Sequence, residues 1–387
     1  MTSPLNTLNI RGAFQMRGGS AALKEAIVRT STFFVFLSLA ISGVSAEVHA
    51  QAAGPASAPK QYPWDMRPKK CFMPGAMEMA PSLCAAKDWT SYAETTGRVQ
   101  RLLIDADFDL VERAENELGF SRDQFPSGQY RFDAWYLALD TLFTNPWEQS
   151  YARASAWAKA KGEDGYVKLA EALLRYGEAW KARGSGYGNT VTPEGWDIYR
   201  RKIREADQVL DSASDRLKRM GPWHLLKLRI AYQLPELESE RAKLLEAASD
   251  AWPDYSSIYS TAMVFSLPKW GGTYEQVDEI AHLAVAKTRN RLGAALYPVV
   301  YQNMFRHQCD CVLPESRVDW DLMKRGFRDL EARRGADAEG WKAYANLACQ
   351  MRDREEARRL LELSDKLRGR HAAEAPDPCR EFAFSPT

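Results

Sequence analysis

At 387 residues, with 45% of them hydrophobic, the chain can bury the core of one large domain or two ordinary ones, which excludes an intrinsically disordered protein. Lys+Arg 52 against Asp+Glu 51 leaves a net charge of +1, and neither a basic arm nor a basic-aromatic stripe breaks that balance. Without such a field there is nothing to draw in phosphate backbones, so no nucleic-acid partner is expected.

Residues 1–50 read as an export signal. Arg11, Arg17, Lys24 and Arg29 precede the apolar run Phe33 to Val44, which is short for a bilayer span and has the length of a signal-peptide core. Small residues follow at Val44-Ser45-Ala46 and Val48-His49-Ala50, placing the expected mature N-terminus near Glu47 or Gln51. The destination is then the periplasm or the medium, with no stable membrane span after cleavage. Residues 51–87 are an Ala/Pro/Gly linker followed by a Met- and Cys-containing segment. All 6 cysteines lie beyond the cleavage region, an even number suited to pairing in an oxidising compartment. Cys71 and Cys84 are expected to close a loop on each other. Cys309 and Cys311 stand too close together to pair easily, so each is expected to reach Cys349 or Cys379.

From 88 to 370 the chain is a succession of helix-period segments with short breaks, followed by a C-terminal tail over 371–387. In the first pair, Val99, Leu102 and Leu103 form one stripe, Asp105 to Asp107 interrupt it, and Leu110, Val111, Ala114 and Leu118 form the next. A second pair is divided at Asn145-Pro146. The next helix carries Leu169, Leu173, Tyr176 and Trp180 on one face and stops at Gly184, a residue suited to a helix C-terminus. Thr192 with Pro193 reads as an N-cap and first helical position. Further pairs follow, one ending at Pro253 and one carrying Trp341, Tyr344, Ala345, Ala348, Ala357 and Leu360. Pairs recurring at about the 34 residues of a tetratricopeptide unit predict an all-α fold, a tetratricopeptide-like solenoid of antiparallel helix pairs.

Two glycine clusters need a separate reading. Lys269-Trp270-Gly271-Gly272 resembles a phosphate loop only superficially: the segment before it is helix-like, no lysine follows the glycines, and Thr273 with Gln276 makes a capping box. It is expected to be a turn, and so is the Gly184 to Gly188 cluster, which a helix also enters.

The stretches around Asp105 to Leu118, Ala179-Trp180-Lys181-Ala182-Arg183-Gly184 with its glycine-rich continuation, and Pro268 to Gly272 together resemble the bacterial family called domain of unknown function 4034, over roughly residues 89–301. The resemblance implies a helical domain without an assigned reaction.

His224, His282, His307 and His371 sit in no zinc-protease, serine-hydrolase or haem motif, so no catalytic residue, metal or cofactor is expected. His307 to Cys311 with Cys349 could form a soft-metal cage, and Met73, Met77 and Met79 a copper(I) site, but disulfides and Met-filled packing account for both sets more simply. Arg183, Tyr187 and Trp196, with Trp270 on the later turn, are the candidate binding residues, since aromatic rings beside an arginine can stack on a sugar or anchor a peptide. The functional expectation is a protein- or peptide-binding adaptor of the bacterial envelope rather than an enzyme. The alternatives are an envelope enzyme or glycan-binding protein using Arg183, Tyr187 and Trp196, or a metal-handling protein using the Met/Cys segment.

Overall fold

The computed structural model describes residues 92–125, 129–145, 147–307, 316–333, 338–368 and 377–385, with two short strands at 72–73 and 77–78. The strands β1 (Phe72–Met73) and β2 (Met77–Glu78) pair antiparallel, Phe72 opposite Glu78. Everything else that is regular is helical: α1 (Tyr92–Ile104), α2 (Phe108–Leu118), α3 (Arg131–Phe143), α4 (Glu148–Lys161), α5 (Tyr166–Arg183), α6 (Pro193–Asp211), the single turn α7 (Asp215–Lys218) and α8 (Gly221–Ala231). Then follow α9 (Arg241–Ala251), α10 (Ser256–Phe265), α11 (Tyr274–Leu292), α12 (Leu296–His307), α13 (Trp320–Arg333), α14 (Ala338–Gln350), α15 (Arg354–Arg368) and α16 (Pro378–Phe384). The fold is all-α, and no helix among the described residues is long and apolar enough to cross a membrane.

Local chemistry sets the helix boundaries. Asp107 opens α2 by accepting the Leu110 amide, which explains why Asp105 to Asp107 part α1 from α2. Thr192 accepts the Gly195 amide at 3.0 Å, and Pro193 takes the first turn of α6, where its missing N–H costs nothing. At α11 the capping box is complete: Thr273 Oγ1 accepts the Gln276 amide at 3.2 Å and Gln276 Oε1 accepts the Thr273 amide at 3.1 Å. The two glycines before it do different things. Gly271 has φ 89° in the left-handed region, whereas a Cβ on Gly272 would fall 2.1 Å from the Ser266 carbonyl oxygen. A helix, α10, enters this corner, so it is a helix-to-helix turn.

Helix α3 is buried along almost its whole circumference, from Arg131 to Asp140, because α1, α2, α5 and α8 all pack on it. Its sequence, RFDAWYLALDTLF, carries apolar residues on every face, as such a position requires, and Arg131, Asp133 and Asp140 are buried among them. Consecutive helices pack as pairs, most extensively α5 with α6 and α14 with α15. Helix α8 rests on α3, α5 and α6 and passes the contact to α10, which packs on α12, which touches α14; α9, α11 and α13 touch in the same order. One hydrophobic core runs through the array from Val99 to Ala383.

The C-terminal end differs from the sequence expectation. Cys349 on α14 is bonded to Cys379 on α16, with Cα atoms 5.6 Å apart, so neither is available to Cys309 or Cys311. The spacing argument assigned Cys349 and Cys379 to Cys309 and Cys311 because it gave no weight to a return of the chain beyond α15, which brings Cys379 onto Cys349 instead. Cys71, Cys84, Cys309 and Cys311 lie outside the described residues. Part of the segment read as a tail is therefore a docked helix. Arg380 on α16 pairs bidentately with Asp365 at 2.5 and 2.9 Å, Arg358 on α15 donates to the Ala383 carbonyl, and Lys342 meets Asp377 at 3.2 Å.

Candidate functional site

The candidate residues Arg183 and Trp196 meet at the α5–α6 corner. Gly184, at φ 71°, ends α5, and the loop that follows is held by side chains rather than by a ladder. Arg183 Nη1 donates to the carbonyls of Gly184 and Gly186 at 3.1 and 3.0 Å. Thr190 donates through both its hydroxyl and its amide to the Tyr187 carbonyl, at 2.7 and 2.9 Å. Trp196 Nε1, one turn into α6, donates to the Gly188 carbonyl at 3.3 Å. The Arg183 guanidinium lies over the Trp180 ring at 5.1 Å and the Trp196 ring at 5.5 Å, a cation clamped between two indoles. Tyr187 joins none of this: its side chain is 84% exposed.

Beneath the loop, a polar seam descends to the centre of the fold. Trp180 and Trp196 each meet Tyr199 edge-on, at 5.6 and 5.5 Å. Tyr199 donates its hydroxyl to Gln233, whose Nε2 donates to the Tyr176 hydroxyl at 2.8 Å. The guanidinium of Arg229 lies 4.4 Å from the centre of the Tyr176 ring and donates to Asp140 at 2.8 Å and to the Tyr136 hydroxyl at 3.4 Å. Burial pushes the Asp140 carboxyl up against the opposing pull of Arg229, and burial likewise raises the Tyr136 and Tyr199 hydroxyls. Tyr199 thus donates to Gln233, while the Tyr136 hydroxyl accepts from Arg229.

Trp270 stands apart from that group. It packs at 6.4 Å on Phe265, which stacks at 5.7 Å on Tyr232, and Arg241 lies over Tyr232 at 5.3 Å. Tyr232 directly precedes Gln233, so the two aromatic groups meet only through neighbouring residues at the C-terminal end of α8.

One exposed residue escaped the sequence reading. Trp147, at the start of α4, is 65% exposed, and Lys181 Nζ lies 5.8 Å from its ring centre. Its place just after Asn145-Pro146 marks a corner between helices, the one sequence signal that its ring is not needed by a helix stripe.

Two other clusters invite chemistry and are satisfied internally. An open cleft of about 560 Å³ is lined by Arg122, Asp250, Pro253, Lys287, Thr288, Asn290 and Arg291. Lys287 meets Glu246 and Asp250 and Arg291 meets Asp254 at 3.0 Å, while Arg122 donates to the Ala251 carbonyl and covers Trp252. On α11 and α12, Asp278 accepts the hydroxyls of Tyr297 and Tyr301 and lies 3.3 Å from His282 Nε2. Burial raises both hydroxyls, and Tyr297 also accepts the Asp319 amide, so the cluster ties α11, α12 and the start of α13 together. Among the described residues, no three His, Cys, Asp or Glu side chains gather as a metal site would require.

Comparison with protein-family models, with curated proteins and with solved structures found no match for this chain.

Proposed function

We propose that the protein is an exported, disulfide-stapled helical-repeat protein of the bacterial envelope that binds a protein or peptide, with Arg183, Tyr187 and Trp196 at the contact and Trp270 on the neighbouring corner. The observation that carries this reading is Tyr187, a large aromatic side chain exposed on a loop whose carbonyls are pinned by Arg183, Thr190 and Trp196. A ring that contributes nothing to the fold, presented on a rigid support, suits an interface anchor, because little conformational freedom is lost when it binds.

The repeat reading draws support from the order of contacts, α8 to α10 to α12 to α14 alongside α9 to α11 to α13, which is how stacked helix pairs share a core. Export draws support from the apolar run before Val44 and from the Cys349–Cys379 bond, since disulfides persist in oxidising compartments. Kinship with the family called domain of unknown function 4034 rests on the motifs named above and is part of the same proposal. Binding is preferred to catalysis at this corner because Arg183, its one charged side chain near the rings, already serves the loop's carbonyls.

The test places a photoreactive phenylalanine analogue at Tyr187 and, as a control, at the exposed Leu367 on α15, in protein within its native envelope. A discrete cross-linked species from the first position alone is the expected result. Identical products from both positions, or none from either, would refute the assignment.

A further inference from the structure

We propose that the surface at the C-terminal end of α5, where Lys181 meets Trp147 on the α4 side and Arg183, Trp196 and the Tyr187 loop lie on the α6 side, binds an extended acidic segment of a partner protein; this deepens the peptide-binding reading and rests on it. Charge is the first ground. From Ala179 to Pro193 the chain contains no Asp or Glu, and its two cations, Lys181 and Arg183, form no ion pair among the described residues. Their neighbours behave differently: on the same two helices, Lys168, Arg175, Arg200, Arg201, Lys202 and Arg204 each meet a carboxylate. Lys181 and Arg183 are instead held over indole rings, which orient a cation without neutralising it.

The backbone adds a second ground. The carbonyls of Gly184, Gly186, Tyr187 and Gly188 all accept hydrogen bonds from within the loop. The amides from Ser185 to Asn189 donate to no acceptor among the described residues. A run of N–H donors without an internal acceptor, beside two cations without a carboxylate partner, is complementary to anionic oxygen. Each cation has an exposed aromatic ring near it, Trp147 under Lys181 and Tyr187 on the loop that follows Arg183, and Trp, Tyr and Arg are the residues on which protein interfaces concentrate their affinity.

The same features select the occupant. A neutral sugar finds Trp180 and Trp196 already covered by Arg183 and, even stacked on Trp147 or Tyr187, offers no counter-charge to the two cations. An anionic bilayer needs more than two basic residues to hold a protein. An extended acidic peptide supplies carboxylates for the cations, carbonyls for successive amides and side chains for the flanking rings.

The experiment selects binders from a random dodecapeptide library on the full, oxidised chain and measures their affinity by tryptophan fluorescence. Selected peptides should be rich in Asp and Glu, should weaken with salt, and should lose roughly fivefold in affinity on Lys181→Glu, the size expected for an exposed charge contact. Tyr187→Ala should weaken them too. Neither side chain supports the fold, so the outcome does not depend on Arg183, whose replacement would also loosen the loop. Binders without acidic enrichment, or acidic binders indifferent to both Lys181→Glu and Tyr187→Ala, would overturn the proposal while leaving peptide binding intact. Failure to select any peptide would remove the peptide-binding reading itself. Heparin and vesicles of equal phosphatidylglycerol and phosphatidylcholine serve as comparison ligands: binding to either that depends on Lys181, with acidic peptides excluded, would overturn the proposal in favour of an anionic glycan or lipid.

Discussion

Replacing Arg229 by methionine removes the cation bonded to the buried Asp140 carboxylate. The Asp140 side chain is 3% exposed and lies 2.8 Å from the guanidinium, so the variant leaves a charge buried without its partner. Losing one member of such a pair costs about 3–5 kcal/mol. That cost has a ceiling, because the stranded carboxyl can take up a proton. Starting from an ordinary value of 3.8, neutralising it at about pH 7.5 costs roughly 5 kcal/mol, whereas at about pH 5 it costs only roughly 1.6 kcal/mol. The sign follows from linkage: burial already raises this carboxyl against the pull of Arg229, so without Arg229 it rises further, the folded state binds the extra proton, and folding of the variant is favoured as the pH falls. Urea unfolding of both proteins at the two pH values, followed by tryptophan fluorescence, should show the gap between them shrinking at the lower pH by about 2–3 kcal/mol, consistent with that ceiling. Removing both charges, with Asp140→Leu and Arg229→Met together, should recover much of the loss. An unchanged gap at the two pH values, or a double variant as damaged as the single one, would refute the idea that an unpaired buried carboxylate is what destabilises the chain.

Cys349→Ser with Cys379→Ser opens a link spanning a sequence separation of 30, worth about 3.7 kcal/mol in the chain-entropy model, and calorimetry should register a lower melting temperature with the helical spectrum retained. Non-reducing peptide mapping of the wild type should recover Cys349 joined to Cys379, and on the sequence argument Cys71 joined to Cys84. Burial pushes His224 down to about 4, so the unfolded chain takes up a proton there before the folded one does. Stability should therefore be full above about pH 6.5 and decline by up to about 3 kcal/mol as the pH falls toward 4, a slope that His224→Leu should flatten in urea titrations. Protein taken from its native host should begin near Glu47 or Gln51 on N-terminal sequencing, and an intact Met1 would count against export.

Helix positions were legible because caps and apolar stripes are local. Thr192-Pro193, Thr273 with Gln276, and the aspartates between α1 and α2 each act within a few residues, and all three stand where the sequence put them. The buried faces of α5 and α14 were legible for the same reason, since Leu169, Leu173, Trp341 and Ala345 recur at the helical period. Long-range partners were not. Nothing near Asp140 points to Arg229, 89 positions away, and in the sequence each is a charged residue in a mostly apolar segment. Arg359 shows the limit within a single helix: Glu355 stands four residues before it, the spacing at which a helix pairs opposite charges, but Arg359 reaches Glu331 on α13 and Glu356 instead. At the candidate site, Arg183 and Trp196 could be named from composition, whereas the role of Lys181 and Trp147 depends on α4 and α5 meeting at a corner, which only the packing specifies.

The bond between Cys349 and Cys379 also decides how the molecule carries tension. A pull on the C-terminus enters at α16 and crosses the sulfur bridge directly into α14, so the intervening chain, including all of α15, is left out of the line of force. About 30 residues are thereby kept from extending, roughly 100 Å of chain that a reduced molecule could release under load and an oxidised one cannot. Anything attached at this end would be anchored mechanically at α14, and reduction would convert a short, stiff connection into a long, compliant one without a change in sequence.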